Sequence, residues 1–288
     1  MVASMAGWRA LEDLANADTL CPTHMSLLLT LTTASLQAML DPKADPPRTL
    51  MDVPDYAINS LELRGLNINT KQLSGWGMDD LDALRDRADK AACPCLILFE
   101  EEPLSFGDDD ASVQQAAHER VSRLAVAANR LGCNALAVRC SGEPDEDRLE
   151  LCAEHLKDIV SSIEHLDLNL LLAPHDGLTD DPDRLTDLIK QIGGFRIGAM
   201  PTYGRSSDQT AELEQLRKLA PYAGAIQIHV EAFNRNSNHK GLSLESAIET
   251  IRKVGYVNTV TIDYVGDGEP ARDIALARVE LQTAIDAE

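Results

Sequence analysis

From residue 50 onward the apolar positions follow two alternating spacings. Stretches with apolar residues three or four apart give way to short, nearly continuous apolar runs, and a polar loop with Gly or Pro closes each unit. The helical spacing predicts helices over 51–60, 79–92, 111–131 and 145–166. A further helix opens at Asp181-Pro182 and ends at Gly193-Gly194, and others cover 208–219, 243–254 and 272–287. Gly132 and Gly255 stand where a left-handed C-terminal cap would stop the helices before them. The apolar runs predict strands over 63–68, 95–99, 135–139, 168–173, 196–200, 225–230 and 259–264, with 26–31 as the first.

Several of these runs are apolar on both faces, as strands covered on both sides are. Strands alternating with helices imply a parallel sheet. Eight such units in 288 residues predict a (β/α)8 TIM barrel, a closed eight-stranded parallel sheet with outer helices, as one domain over 1–288. An open doubly wound sheet is the alternative, but no Gly-x-Gly-x-x-Gly follows any strand.

Charge narrows the partners. With 47 acidic and 26 basic residues the net charge is −21, which argues against a nucleic-acid partner, since phosphate backbones need clustered Lys and Arg. The 21–40 stretch lacks charge but carries Pro22, His24 and several Ser and Thr, so it predicts neither a membrane span nor a signal peptide. A cytoplasmic location is expected. Six cysteines without a Cys-x-x-Cys pair predict buried thiols rather than disulfides or structural zinc. Neither homo-oligomer nor monomer is specified, because outer helices of barrels serve in both.

Barrel chemistry sits at the C-terminal ends of the strands. The residues delivered there are Asn67 and Asn69, then Glu100 to Glu102, then Arg139-Cys140-Ser141-Gly142. Later strands deliver Pro174-His175-Asp176-Gly177, Pro201-Thr202-Tyr203-Gly204, His229-Val230-Glu231 with Arg235 and His239 beyond, and Asp263-Tyr264. Most have two readings. Arg139 either binds an anionic substrate group or pairs with Glu100 or Glu101. His229 is a satisfied core histidine or a ligand. Asp263 leans to function, because an inward carboxylate is costly unless paired. Trp76 and Tyr203 either stack on a substrate or anchor their loops. Loop 234–240, with His239 and Lys240, is either a phosphate-grasping loop or a solvent-exposed one, the exposed reading being the safer.

Four segments resemble strands five to eight of the xylose-isomerase-like barrels, the sugar phosphate isomerase/epimerase superfamily. They are Leu170-Leu171-Leu172-Ala173-Pro174-His175-Asp176-Gly177, Phe195-Arg196-Ile197-Gly198-Ala199-Met200-Pro201, Ile226-Gln227-Ile228-His229-Val230, and Gly255-Tyr256 with Thr261-Ile262-Asp263-Tyr264-Val265-Gly266-Asp267-Gly268. The resemblance covers roughly residues 50 to 288 by strand order and spacing. It implies a divalent metal held by Glu, Asp, His and Glu from strands five to eight, which polarises a sugar carbonyl while carboxylates shuttle a proton.

The chain departs from that pattern. Ala173 stands at the first ligand position and Pro201 at the second, with Gly204 where that motif often has His. His229 matches the third, Asp263 replaces the last Glu, and Asn67 stands where a strand-two Glu is common. Arg235 matches an Arg that often binds a substrate phosphate or hydroxyl. A rebuilt metal set of His175, His229 and Asp263 is one expectation, resting on His175 being two residues beyond Ala173 and so on the same side of a regular strand. One zinc, manganese or magnesium ion is then the expected cofactor, or none.

Two functions follow. The first is a sugar or sugar-phosphate isomerase/epimerase acting on a sugar or polyol. Asp263 and His229 would be catalytic, and Arg139, His175, Arg235, Asn67 and Tyr203 would bind substrate. The second is a barrel without metal chemistry that binds a small ligand or serves as a non-catalytic subunit, favoured by Ala173 and Pro201. An abasic-site endonuclease of the same barrel type is disfavoured, because the seven His are scattered and no basic groove is expected at this charge.

Overall fold

The computed structural model describes residues 27–46 and 48–287. Ser26 and Cys21 lie outside them, so the expected start of strand one and that thiol are not placed. Nine strands form one parallel sheet: β1 Leu28–Thr32, β2 Leu66–Asn69, β3 Cys95–Phe99, β4 Ala135–Arg139, β5 Asn169–Ala173, β6 Ile197–Ala199, β7 Thr202–Tyr203, β8 Ala225–Val230 and β9 Thr259–Tyr264. The hydrogen-bonded order is β6-β5-β4-β3-β2-β1-β9-β8-β7. Eight α-helices alternate with them: α1 Val53–Leu61, α2 Met78–Lys90, α3 Ala111–Leu131, α4 Glu146–Ile163, α5 Pro182–Ile192, α6 Gln209–Leu219, α7 Leu244–Lys253 and α8 Pro270–Asp286. This is the TIM-barrel fold.

The expected strand over 196–200 is divided. Pro201 has no N–H and cannot continue the ladder. Upstream of it, β6 pairs with β5 (Leu172 opposite Ala199), and the Met200 N–H donates to Leu172 O at 2.9 Å. Downstream, β7 pairs with β8 (Thr202 opposite Gln227), and the Gln227 N–H donates to Pro201 O at 2.9 Å. The chain changes partners at the proline, so Thr202–Tyr203 is strand where the sequence predicts loop. The expected strand over 63–68 also shifts, to Leu66–Asn69, because Glu62 ends α1 in the left-handed conformation with φ 54°.

Helix ends follow the capping residues. Asp110, Asp145, Asp181 and Asp208 each accept a backbone N–H from the first turn of α3, α4, α5 and α6, which satisfies donors that have no partner inside the helix. Gly132 closes α3 with φ 77°, as expected.

Strand alternation sorts the core into two parts. Leu66, Leu98, Leu136, Leu170, Ile226 and Ile262 pack with helix residues such as Leu84, Leu156, Leu188 and Leu281 in the layer between sheet and helices. A separate inner cluster holds Ile97, Phe99, Ala135, Ala137, Leu171, Ala173, Met200 and Ala225. Most inner residues of β1, β2, β8 and β9 are instead polar, among them Thr30, Asn67, Gln227, Thr261 and Asp263. Cys93, Cys95, Cys133, Cys140 and Cys152 are free and buried, and burial pushes the Cys95 thiol up to about 12. Among the described residues no helix is long and apolar enough to cross a membrane.

Candidate functional site

β8 and β9 lie side by side with His229 opposite Asp263 in register. Both follow inward residues by two positions, after Gln227 and Thr261, and so face the lumen at its C-terminal end. His229 Nε2 stands 3.2 Å from Asp263 Oδ2, with the side chains 23% and 11% exposed, so solvent reaches the pair. Gln227 Nε2 donates to the same Asp263 Oδ2 and fixes the carboxylate from below. His229 Nδ1–H donates to Gly204 O at 3.3 Å. That carbonyl comes close because residue 204 is glycine: a Cβ there would stand 3.2 Å from His229 Cβ, at φ 92°.

Glu212, buried on α6, holds the Gly204 turn in place. Its carboxylate accepts the backbone N–H groups of Gly204, Arg205 and Ser206 at 2.7, 3.2 and 2.8 Å. Deeper in the lumen, Asn67 Nδ2 donates to Thr261 Oγ1 at 2.8 Å, and Thr261 Oγ1 also bonds Thr30 Oγ1 at 2.8 Å. Gln227, Glu212 and Thr261 were not expected from the sequence to shape this site. Gln227 and Thr261 carried a signal: each is polar, two residues before an inward titratable group, in an otherwise apolar run.

Arg139 ends β4 on the same face as Ala135 and Ala137 and pairs in register with Ala173. Its guanidinium lies 5.2 Å from the centre of the Phe99 ring. Nη1 reaches only the backbone carbonyl of Glu101, at 3.4 Å. The expected pairing with Glu100 or Glu101 does not form, and Glu101 faces Lys71 at 3.6 Å. Arg120 from α3 takes Glu100 instead, with Nε at 2.7 Å, and Thr70 Oγ1 donates to the same carboxylate at 2.9 Å. Among the described residues, the two buried polar side-chain atoms without a hydrogen bond are Arg139 Nε and Asn67 Oδ1. Both belong to inward-facing residues, and such atoms call for an explanation.

Three expected site residues are placed elsewhere. Tyr203 turns outward, is buried, and donates to Ser243 O at 3.1 Å, anchoring the start of α7. Its neighbour Thr202 takes the inward parity, so Tyr203 cannot contact a substrate in the lumen. Burial pushes the Tyr203 phenol up to about 12. Arg235 is exposed in loop 231–240 rather than drawn to the His229–Asp263 pair. His175 is not joined to that pair. β5 ends at Ala173, so the two-residue parity no longer holds at 175. The His175 backbone N–H donates to Thr179 Oγ1 at 3.2 Å. Burial first, then the nearby Arg139 charge, holds its imidazole below the usual range.

The metal set is therefore not assembled. Among the described residues no three His, Cys, Asp or Glu side chains gather closely enough to hold a metal ion. His229 and Asp263 leave two of the four implied ligand positions to Ala173 and Pro201, which offer no side-chain donor. The donors present do not fit the implied cation.

The C-terminal face carries two clefts, one of about 520 Å³ beside Ser141, Arg148 and Asp176, the other of about 460 Å³ beside Trp76, Glu100 and Arg120. The N-terminal face carries a cavity of about 620 Å³ floored by Ile97 and Leu171. Its volume alone does not make it the site, because barrel chemistry lies at the opposite end.

Comparison with known proteins agrees with this architecture. The chain superposes on L-ribulose 3-epimerase with a TM-score of 0.73 at 11% identity, over 90% of this chain and 95% of that one. The 3-keto-D-glucoside 4-epimerase from E. coli gives 0.68 at 12% identity, over 89% and 99%. A xylose isomerase-like TIM barrel protein from Mycobacterium smegmatis, in complex with magnesium, gives 0.62 at 13% identity, over 90% and 96%. No curated protein sequence matches the chain. Residues 56–282 match the family profile described as xylose isomerase-like TIM barrel. The chain belongs to the xylose isomerase-like TIM barrel family.

Proposed function

We propose that this protein is an isomerase or epimerase of a small sugar or polyol, working at the C-terminal mouth of a one-domain barrel. We read β6 and β7 as two halves of one strand, which makes the sheet a closed ring of eight. The observation that carries the reading is the solvent-reachable His229–Asp263 contact of 3.2 Å. A proton held between imidazole and carboxylate can be given to, or taken from, the carbon beside a substrate carbonyl. Gln227 and the Gly204 carbonyl hold the pair against reorientation. Asn67 Oδ1 is buried and has no partner on the lumen side. No step is assigned to a metal, because the donors do not fit one.

A second reading, a barrel that binds a small ligand without turnover, is favoured by Ala173 and Pro201. One experiment separates the two. D-fructose, D-psicose, D-tagatose and L-ribulose are incubated with the protein in deuterium oxide and followed by proton NMR. Deuterium entering the carbon beside the carbonyl with the wild type, but not with His229→Gln, is the expected result. No exchange with any of the four, nor with D-fructose 6-phosphate in the same assay, supports the binding-only reading and overturns the enzymatic one.

A further inference from the structure

The mouth contains a cation that no carboxylate pairs with among the described residues, although the Glu102 carboxyl feels its charge. Arg139 points into it from β4, and its register neighbour on β5 is Ala173. A Glu at 173, the residue implied by the family resemblance, would lie beside the guanidinium. Alanine, packed in the inner cluster, supplies no charge to meet it. The chain has 47 acidic residues against 26 basic ones, yet Arg139 reaches only a backbone carbonyl at 3.4 Å and its Nε has no acceptor.

The carboxylates nearby are already engaged. Lys71 pairs with Glu102 at 2.9 Å and with Glu101 at 3.6 Å. Asp176 and Asp180 pair with Arg205 at 2.8 and 3.2 Å. Glu100 is held by Arg120 and Thr70. A buried donor on a charged group is costly to leave unmade, and a planar guanidinium is best satisfied by two oxygens of one anion. The Phe99 ring supports one side of Arg139, while the His175 side chain, without a hydrogen bond, stands near enough to feel its charge.

We infer that Arg139 forms the anchor of an oxyanion subsite, so that the mouth selects small hydroxylated carboxylates or phosphates and places a guanidinium charge there in place of a divalent cation. This deepens the proposed function and shares its site, but it is read by binding rather than turnover. The full chain, dialysed against EDTA, is titrated by calorimetry with D-gluconate, D-fructose 6-phosphate and neutral D-fructose. At least one anion is expected to bind one-to-one and at least tenfold more tightly than fructose, which also tells carboxylate from phosphate. Arg139→Gln should weaken that anion at least tenfold. Ala173→Glu, which places a carboxylate beside the guanidinium, should weaken it similarly. Arg139→Lys, which keeps the charge but loses the fork, should fall between. Thermal melts identify any variant that fails to fold, and the Lys variant keeps the test decisive if Gln does not.

Anions binding no tighter than fructose, or equally well to Arg139→Gln, overturn the inference. So does binding that appears only when manganese is restored. Deuterium exchange into neutral ketoses with no anion preference would overturn the subsite while leaving the proposed function standing. Anion binding without any exchange would do the reverse.

Discussion

The two ends of the barrel make opposite use of polar groups. The N-terminal cavity, at about 620 Å³, is larger than either cleft on the C-terminal face, and neither cleft is lined by His229, Asp263 or Arg139. Yet its lining is settled. Lys190 pairs with Asp187 at 3.1 Å and Arg196 with Asp167 at 2.7 Å. Asn169 Nδ2 donates to Asn134 O and Asn258 Nδ2 to Ala223 O, both at 3.3 Å. The C-terminal end keeps Arg139 Nε and Asn67 Oδ1 unsatisfied and the His229–Asp263 pair within reach of solvent. The difference teaches that volume does not locate chemistry. Polar atoms left without partners do, because the fold bears their desolvation cost for a reason outside itself.

This contrast can be broken or sharpened by substitution. The largest effect is expected from Glu212→Ala, which leaves the N–H groups of Gly204, Arg205 and Ser206 without their acceptor. A loss of about 3–4 kcal/mol in urea unfolding is expected, together with loss of exchange activity, because the Gly204 carbonyl no longer fixes His229. His229→Gln should reduce exchange by about 100-fold or more while the unfolding midpoint stays close to wild type. Leu171→Ala, at the floor of the opposite cavity, should cost about 2 kcal/mol, the low end for such a truncation because the adjoining cavity lets neighbours relax. Its exchange rate should be unchanged. Phe195→Ala, fully exposed at that cavity's rim, should alter stability by less than about 0.5 kcal/mol and leave activity as it was. An exchange rate that falls with Leu171→Ala or Phe195→Ala would move the site to the N-terminal end.

The fold was legible wherever one signal dominated. The continuous apolar runs at Cys95–Phe99, Ala135–Arg139, Ala225–Val230 and Thr259–Tyr264 mark their strands to the residue. At Met200-Pro201 two signals competed. Proline reads as a strand end, and only the three-dimensional change of partner from β5 to β8 lets Thr202–Tyr203 resume the sheet. That split also explains Tyr203, whose outward direction depends on a strand the sequence did not reveal. The His229–Asp263 neighbourhood was legible, because adjacent parallel strands at matching positions must bring their inward residues together. The expected place of His175 was not, since alternation says nothing beyond Ala173, where β5 stops. Glu212 carried no signal at all: a helix carboxylate looks solvent-exposed until the loop it holds is seen.

The most direct test is a crystal structure of the wild-type protein grown with D-fructose 6-phosphate. The account predicts ligand density at the C-terminal mouth, with its anionic group on Arg139 and its sugar carbons against His229 and Asp263. Density in the cavity beside Leu171 and Phe195, with the mouth holding only solvent, would contradict it.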